Sequence, residues 1–284
     1  MPLSKAVISA KAAELHKEVG LSKFPFDPRV AAPWLDIHIE SRIELHGSTG
    51  AIFLTDDPVI YHPSSLSPGL LNFTLGHELG HYYVSGHIEQ ILADGGQHFS
   101  QGGAFQSKKP TIEQEADHFS ANFLMPERIT KTLLENQEVG LSGIIQLHEK
   151  AITSITSSAI RATQCDPYPI CIIMVGQDGR VKYSFQSSSF RSSVPGQHLS
   201  ADSLIPSDSA AFRMSRDLDL SAGIRDRSSG SSYEWFGEGN KRLDVDTYHL
   251  GPYGTLVALT GEEKWEDDEE EENLMESWTP RFTR

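Results

Sequence analysis

The sequence of 284 residues is poor in cysteine, in long apolar runs and in positive charge. Its two cysteines, Cys165 and Cys171, are too few for a disulfide framework, which indicates reduced structural thiols in a reducing compartment. The longest unbroken apolar run, Ile170 to Val175, is far shorter than the roughly 20 residues of a membrane-spanning helix. The N-terminus has no apolar block typical of a signal peptide. We therefore expect a cytoplasmic protein without a membrane partner.

The charge balance is acidic. Lys and Arg number 24 against 39 Asp and Glu, which gives a formal net charge of −15. Direct nucleic-acid binding needs clustered positive charge and is therefore not expected. The same charge could attract a basic protein over a long range. A run of consecutive carboxylates, Glu266 to Glu272, predicts a solvated tail segment.

The order of the predicted elements favours an α+β fold in about two domains. Apolar periodicity predicts helices at 4–19, 70–85, 111–124, 129–135 and 141–162. Alternating or β-rich runs predict strands at 36–40, 50–54, 170–175, 180–185 and 255–259. Loops are expected through the glycine pairs 95–96 and 102–103, and mobile loops at the serine clusters 187–189 and 228–232.

One predicted helix carries the segment His77-Glu78-Leu79-Gly80-His81. Residues four apart on a helix turn through about 400°, so His77 and His81 lie nearly one above the other and their ring nitrogens can bind one zinc ion. Glu78 lies about 100° round the helix, where it can act as a general base toward a bound water. The alternative is a chance pattern of surface residues, but the segment lies within an apolar helix.

A catalytic zinc needs a third protein ligand, and two residues compete for that role. His87 gives the spacing of metalloproteases with three histidines. Those enzymes break the helix with a glycine where this chain has Val84, which is poorly suited to positive φ. Glu113, which opens a second helix, is the favoured ligand. Its alternative role is to stabilise the first helical turn, which is worth only about 0.3–1 kcal/mol.

Further positions on these two helices have expected roles. Asp117, one turn after Glu113, can accept the free ring N–H of a ligand histidine and fix its tautomer. Glu115 points about 200° away from Glu113 and is expected to be a surface charge. Gly76 and Gly80 each cost a helix about 1 kcal/mol relative to Ala, which suggests a bare face for the approach of another backbone, such as an edge strand.

The sequence does not identify the residue that would stabilise the oxyanion of a tetrahedral intermediate. Four side chains are candidates that the sequence does not rank: Tyr82, Tyr83, His62 and His118. His118 is otherwise expected to be an ordinary histidine on a helix surface.

Two motifs together resemble the ImmA/IrrE family of bacterial zinc metallo-endopeptidases. The first reads FTLGHELGH and the second, further along the chain, reads EQEADHFSANFLMP. The family pattern E-x-x-A-N/D-x-F-A-x-x-L-L-M-P is met with two departures, since Ser120 replaces a usual alanine and Phe123 a usual leucine. The resemblance implies Zn²⁺ as the cofactor, and its joint motifs are more specific than either alone.

Carried over to this sequence, the family's site residues are His77, His81 and Glu113 as metal ligands and Glu78 as the catalytic base. The resemblance implies a gluzincin-like zinc peptidase domain with the HExxH helix at 1–126. A helical segment that faintly resembles a helix-turn-helix is expected at 127–164, and a β-rich C-terminal domain with an acidic tail at 165–284.

The resemblance also implies a function in transcription regulation. Family members make a site-specific cut in a helix-turn-helix repressor and so derepress stress or mobile-element genes. A zinc-dependent endopeptidase with such a protein substrate is therefore expected. The alternative is a non-proteolytic regulatory protein, in which zinc stabilises the fold and the chain binds a repressor or a ligand.

Overall fold

The structure is a computed structural model that describes residues 2–100, 111–194, 198–217 and 219–261. Its fold is α+β, and the described residues form two compact units. The first unit comprises Met1–Tyr168 with Phe185–Ser188, and the second comprises Pro169–Ser184 with Ser189–Arg284. The predicted acidic run at 266–272 lies outside the described residues. The domain boundaries predicted at 126 and 164 stay predictions.

The first unit contains eight of the described helices and four strands. The helices are α1 (Lys5–Val19), α2 (Pro28–Trp34), α3 (Pro68–Tyr83), α4 (His87–Ala93), α5 (Thr111–Leu124), α6 (Glu127–Glu135), α7 (Leu141–Ala151) and α8 (Ile155–Cys165). The strands are β1 (His38–Arg42), β2 (Gly50–Phe53), β3 (Val59–Pro63) and β4 (Gln97–Ser100).

The four strands of the first unit form one sheet in the order β1-β3-β2-β4. β1 runs parallel to β3, whereas β2 is antiparallel to both β3 and β4. Ile52 in the middle of β2 pairs with Ile60 on one side and with His98 on the other. Because β4 stands at the end of this order, it is an edge strand of the sheet.

Helices α3 and α5 pack against each other, because each presents an apolar stripe at helical spacing. Leu75 and Leu79 of α3 are fully buried, as are Phe119 and Phe123 of α5. Pro68 occupies the first turn of α3, where its missing N–H costs nothing. The packed pair brings the two sequence motifs side by side.

The region expected to be a loop after α3 contains two regular elements. Helix α4 and strand β4 both lie within it, and strand β3 lies between two predicted elements. These segments are short, and β4 pairs along only four residues of β2. Their sequence pattern was too short for periodicity to reveal them. The glycine pair 102–103 lies outside the described residues.

The predicted helix over 141–162 is two helices. Ile152, which follows α7, has a left-handed φ of 51°, and Ser154 caps α8 by accepting from Ser157 N. Arg161 of α8 is buried and donates from Nε to Met125 O at 2.8 Å. This cation is therefore enclosed in the unit and does not add to a basic surface.

The second unit contains a five-stranded sheet in the order β6-β5-β9-β8-β7. Its strands are β5 (Ile170–Val175), β6 (Val181–Gln186), β7 (Arg225–Ser231), β8 (Arg242–His249) and β9 (Thr255–Gly261). Its helices are α9 (Ser188–Ser193), α10 (Ala210–Arg216) and α11 (Ser232–Phe236), with a short 3₁₀ helix at Gly251–Tyr253. The strands predicted at 170–175 and 180–185 are present as β5 and β6, which are neighbours in the sheet, and Gly176 N donates to Arg180 O in the turn between them.

The prediction of mobile loops at the two serine clusters was wrong for most of their length. Residues 228–231 belong to β7, which pairs with β8 along its whole length, and residues 188–189 begin α9. β7 is mostly exposed, so its residues carry no alternation of apolar and polar side chains. Both cysteines are buried and free, as predicted. None of the helices in the described ranges has the length and apolarity needed to cross a membrane.

Candidate metal centre

Helix α3 buries the whole HExxH segment. His77, Glu78 and His81 are each less than 5% exposed, and Glu78 and His81 are fully enclosed. The two histidines come from the same face of α3, as their spacing predicts, and their Nε2 atoms lie 3.0 Å apart. The face that carries them is turned toward α5 and β4 rather than toward solvent.

The close packing of α3 on α5 depends on two glycines. A Cβ built on Gly76 would lie 2.6 Å from Ser120 Oγ, and one on Gly80 would lie 3.2 Å from Ala116 Cα. The prediction of a bare glycine face is therefore confirmed. The backbone that approaches it belongs to a helix, and the suggested edge strand was wrong. This short separation brings the α5 carboxylates within reach of the α3 imidazoles.

Four side chains bring one ligand atom each to a common point. His77, His81, His98 and Glu113 all offer atoms within 4.8 Å of one another. Glu113 Oε1 lies 3.0 Å from His81 Nε2 and 2.8 Å from His98 Nε2, while Glu113 Oε2 lies 3.5 Å from His77 Nε2. The structure thus brings together the three predicted ligands and adds a fourth residue.

These four side chains fit a zinc ion. Zinc bonds of about 2.0–2.1 Å in a tetrahedron separate neighbouring ligand atoms by about 3.3 Å. The separations of 2.8–3.5 Å between the Glu113 oxygens and the three rings bracket that value, and the four ligand atoms all lie within 4.8 Å of one another. Two atoms that face each other, His98 Nε2 and Glu113 Oε1, are buried and have no hydrogen-bond partner among the described residues. A cation bound between them would supply the missing interaction.

The charges around the centre also favour a cation. Burial lowers the pKa of His81 to about 3 and outweighs the opposing effect of the Glu113 carboxylate, so the ring is neutral and able to bind a metal. Burial opposes the charge on Glu113, but the adjacent rings of His77, His81 and His98 hold its pKa well below the usual range. For His77, burial is outweighed by Asp117 and Glu113, which raise its pKa to about 10. Carboxylates thus attract positive charge to this point.

Asp117 lies where the sequence predicts a carboxylate that orients a ligand histidine. His77 Nδ1 lies 2.9 Å from Asp117 Oδ1, so the ring can donate there and turn Nε2 toward the common point. This contact follows from the spacing of Glu113 and Asp117 on one face of α5. The role of Asp117 in metal binding stays a prediction.

His87 lies outside the four-residue group. Its Nε2 is 2.9 Å from Glu115 Oε2, and both side chains are buried. Glu115 also accepts from Leu3 N at 2.7 Å, so the expectation of a surface charge was wrong. The left-handed residue after α3 is Gly86, with a φ of 92°, whereas Val84 is extended. The chain therefore does not swing His87 back onto the centre.

His98 is the site residue that the sequence analysis missed. It lies on β4, in a stretch that was expected to be a loop, and it follows Gly95-Gly96 in the short segment Gln97–Ser100. The sequence offered one signal, an isolated histidine between a glycine pair and the second motif. That signal is weak without the strand pairing that orients the side chain.

Strand β4 also contacts Glu78. Ser100 Oγ donates to Glu78 Oε1 at 2.6 Å, whereas Oε2 has no hydrogen-bond partner among the described residues. A Cβ on Gly50, which pairs with Ser100 in the sheet, would lie 2.6 Å from Glu78 Oε1. Burial raises the pKa of Glu78, and His77 and Ser100 oppose that rise. The carboxylate is therefore poised to take up a proton.

The four candidates for an oxyanion donor lie outside the group of His77, His81, His98 and Glu113. Tyr82 packs against the apolar core, and Tyr83 donates to Glu18 at 2.7 Å. His62 contacts Pro63 O. His118 is partly buried and contacts Ser9 and Lys5 O, which differs from a plain surface position. None of these contacts points to the oxyanion role.

Comparison with known proteins agrees with the motifs. Residues 35–142 match the family model described as "Peptidase_M78: IrrE N-terminal-like domain". This part of the chain therefore matches the IrrE-like domain of the ImmA/IrrE family. The predicted resemblance is thereby confirmed for the segment that carries both motifs of the IrrE-like domain. No curated protein matches the chain.

A solved structure resembles this chain over most of its length. It is described as "Mycobacterium tuberculosis transcriptional regulator", with a TM-score of 0.57 and 13% sequence identity over 89% of this chain and 75% of that chain. At this identity the likeness concerns the fold alone.

Proposed function

We propose that this chain is a zinc-dependent endopeptidase with a gluzincin-like centre. His77, His81 and Glu113 would hold the zinc ion, Glu78 would be the catalytic base, and Asp117 would orient His77. One observation carries the proposal: three imidazole nitrogens and a carboxylate oxygen meet within 4.8 Å beside a buried glutamate. The match of residues 35–142 to the model of a peptidase family supports the same activity.

A zinc ion bound here would polarise the scissile carbonyl and lower the pKa of a water molecule. The protein's own contribution is to bind and to move a proton. Glu78 has a pKa raised by burial, which suits a carboxylate that accepts a proton from the attacking water and gives it to the leaving amine. Asp117 would keep the His77 ring in one tautomer throughout the reaction.

The substrate that we propose is a helix-turn-helix transcriptional repressor. An extended segment of that protein could pair with the edge of the sheet at β4, which would supply main-chain hydrogen bonds. The net charge of −15 would favour approach of a basic DNA-binding protein. The fold is shared with a protein described as a transcriptional regulator, which is compatible with a role in gene regulation.

The test is cleavage of a purified helix-turn-helix repressor, taken first from the genes next to this one, with and without a chelator, followed by mass spectrometry of the fragments. We expect Glu78→Gln to retain the metal and to lose cleavage, because the amide cannot accept the proton. Glu89→Gln is the matched control, since Glu89 is an exposed glutamate on the neighbouring helix α4. Cleavage that persists in Glu78→Gln, or in the presence of chelator, would refute the proposal.

A second candidate function rests on the number of ligands. Structural zinc sites have four protein ligands, whereas catalytic sites keep one position open. The group of His77, His81, His98 and Glu113 already supplies four atoms. A non-proteolytic regulator with a structural zinc would therefore also fit. It predicts metal-dependent folding, and biological activity that is unchanged in Glu78→Gln.

A further inference from the structure

Strand β4 directs two side chains at the centre from one face. Alternate residues of a strand point the same way, so His98 and Ser100 lie on one face and Gln97 and Phe99 on the other. Burial follows this alternation, since Gln97 and Phe99 are exposed while His98 and Ser100 are partly and fully buried. One short strand thus contacts both Glu113, through His98, and Glu78, through Ser100.

His98 takes the position that a catalytic site would leave open. Its Nε2 lies 2.8 Å from Glu113 Oε1, and the four ligand atoms lie within 4.8 Å of one another, so a tetrahedral ion bound to all four would have every corner filled by protein. A reacting water or a scissile carbonyl would then have no corner left. Ser100 restrains the catalytic base as well, because its hydroxyl donates a hydrogen bond to Oε1 of Glu78.

His98 is also the ligand best able to leave. Its side chain is 21% exposed, against 6% for His77, 0% for His81 and 12% for Glu113. β4 pairs with β2 over four residues and has no second strand neighbour within the part of the chain that the structure describes. The other three ligands come from two helices packed into the core. Displacement of His98 therefore disturbs the fold least.

We propose that β4 holds the centre in a closed state, with His98 as a fourth and displaceable metal ligand and Ser100 as a restraint on Glu78. The inference rests on the proposed peptidase function for its consequence, because the substrate reaches the metal only after His98 leaves. Ligation by His98 itself is independent of catalysis and is measured separately.

The first experiment measures ligation. The full chain is loaded with Co²⁺, whose visible absorption reports the number and type of ligands, and the Zn²⁺ affinity is measured by competition with a chelator. For His98→Ala we expect one bound ion, a changed Co²⁺ spectrum and an affinity lower by about tenfold or more. His38→Ala is the matched control, because His38 is an exposed histidine on β1, at the other edge of the same sheet.

Addition of imidazole separates ligation from damage to the fold. In His98→Ala, free imidazole should restore the wild-type Co²⁺ spectrum by filling the vacated corner. The claim of a fourth ligand is overturned if His98→Ala has the wild-type spectrum and affinity. It is also overturned if the changed spectrum does not respond to imidazole.

The second experiment measures closure by cleavage of the repressor per metal-loaded molecule. We expect His98→Ala to cleave several-fold faster than the wild type, and imidazole to reverse the gain. Slower cleavage with a changed spectrum would overturn the closed state. No cleavage by either protein, with the spectral change present, would refute the peptidase function and leave the ligation by His98 standing. If the wild type cleaves the repressor but His98→Ala shows no spectral change, ligation by His98 is refuted and the peptidase function stands.

Discussion

The replacement Gly76→Ala tests how the packing of two helices builds the centre. Helix propensity alone predicts that alanine stabilises α3 by about 1 kcal/mol. The structure predicts the opposite sign. The new Cβ would lie 2.6 Å from Ser120 Oγ and 3.3 Å from Ser120 Cβ, so the side chain or the helix must shift.

The size of the effect follows from two losses. Overpacking of a close interface costs about 1–3 kcal/mol. Displacing Ser120 also breaks its hydrogen bond to Phe73 O, which is 2.8 Å long and worth about 1 kcal/mol. After the gain in helix propensity, Gly76→Ala should lower the free energy of unfolding by about 1–3 kcal/mol. Zinc binding should weaken as well, because α3 and α5 carry different ligands.

The assay is denaturant unfolding in the presence of chelator, combined with a double-mutant cycle. Removing the hydroxyl in Gly76→Ala/Ser120→Ala deletes the atom that the new Cβ would meet at 2.6 Å. The double variant should therefore recover a large part of the stability, with a coupling of about 1 kcal/mol or more. Strict additivity, or a Gly76→Ala protein more stable than the wild type, would contradict the packing argument.

The remaining predictions concern the ligand orientation and the acid stability. Asp117→Asn should lower the zinc affinity by about 10–100-fold, because the carboxylate that accepts from His77 is lost; an affinity equal to wild type in a chelator competition would exclude that role. The ring of His16 stacks on the ring of Phe26 with their centroids 4.0 Å apart, and burial lowers the pKa of His16 from 6.5 to about 4. Since the unfolded chain takes up this proton first, its contribution to stability is complete above pH 6.5 and is lost as the pH falls toward 4. His16→Phe should therefore flatten the decline of the melting temperature between these pH values, and an unchanged pH profile would contradict the assignment.

Much of the centre could be predicted because its residues lie at helical spacing. His77 and His81 share a face of α3 whatever surrounds the helix, and the same holds for Glu113 and Asp117 on α5. The close approach at Gly76 could also be predicted. A glycine inside a helix destabilises it relative to alanine, which indicates that the position needs a residue without a side chain.

The positions that were missed depend on partners far along the chain. Glu115 is buried because it meets His87 and Leu3 N, neither of which its helical phase reveals. The serine-rich strand β7 exists because β8 supplies its hydrogen bonds, while its own side chains are mostly exposed. The spacing of apolar residues along the sequence predicts which face of an element is buried. It does not predict an exposed strand that is stabilised by backbone pairing with its neighbour.

The sequence by itself determined which two helices carry the chemistry and which of their side chains share a face, because the geometry of a helix is local and regular. Only the tertiary structure decided that His98 and Ser100 reach the same point. Their direction is set by the pairing of β4 with β2, and the placement of that sheet against α3 is a non-local consequence of packing. The difference between three ligands and four, and so between an open and a closed centre, lies in that packing.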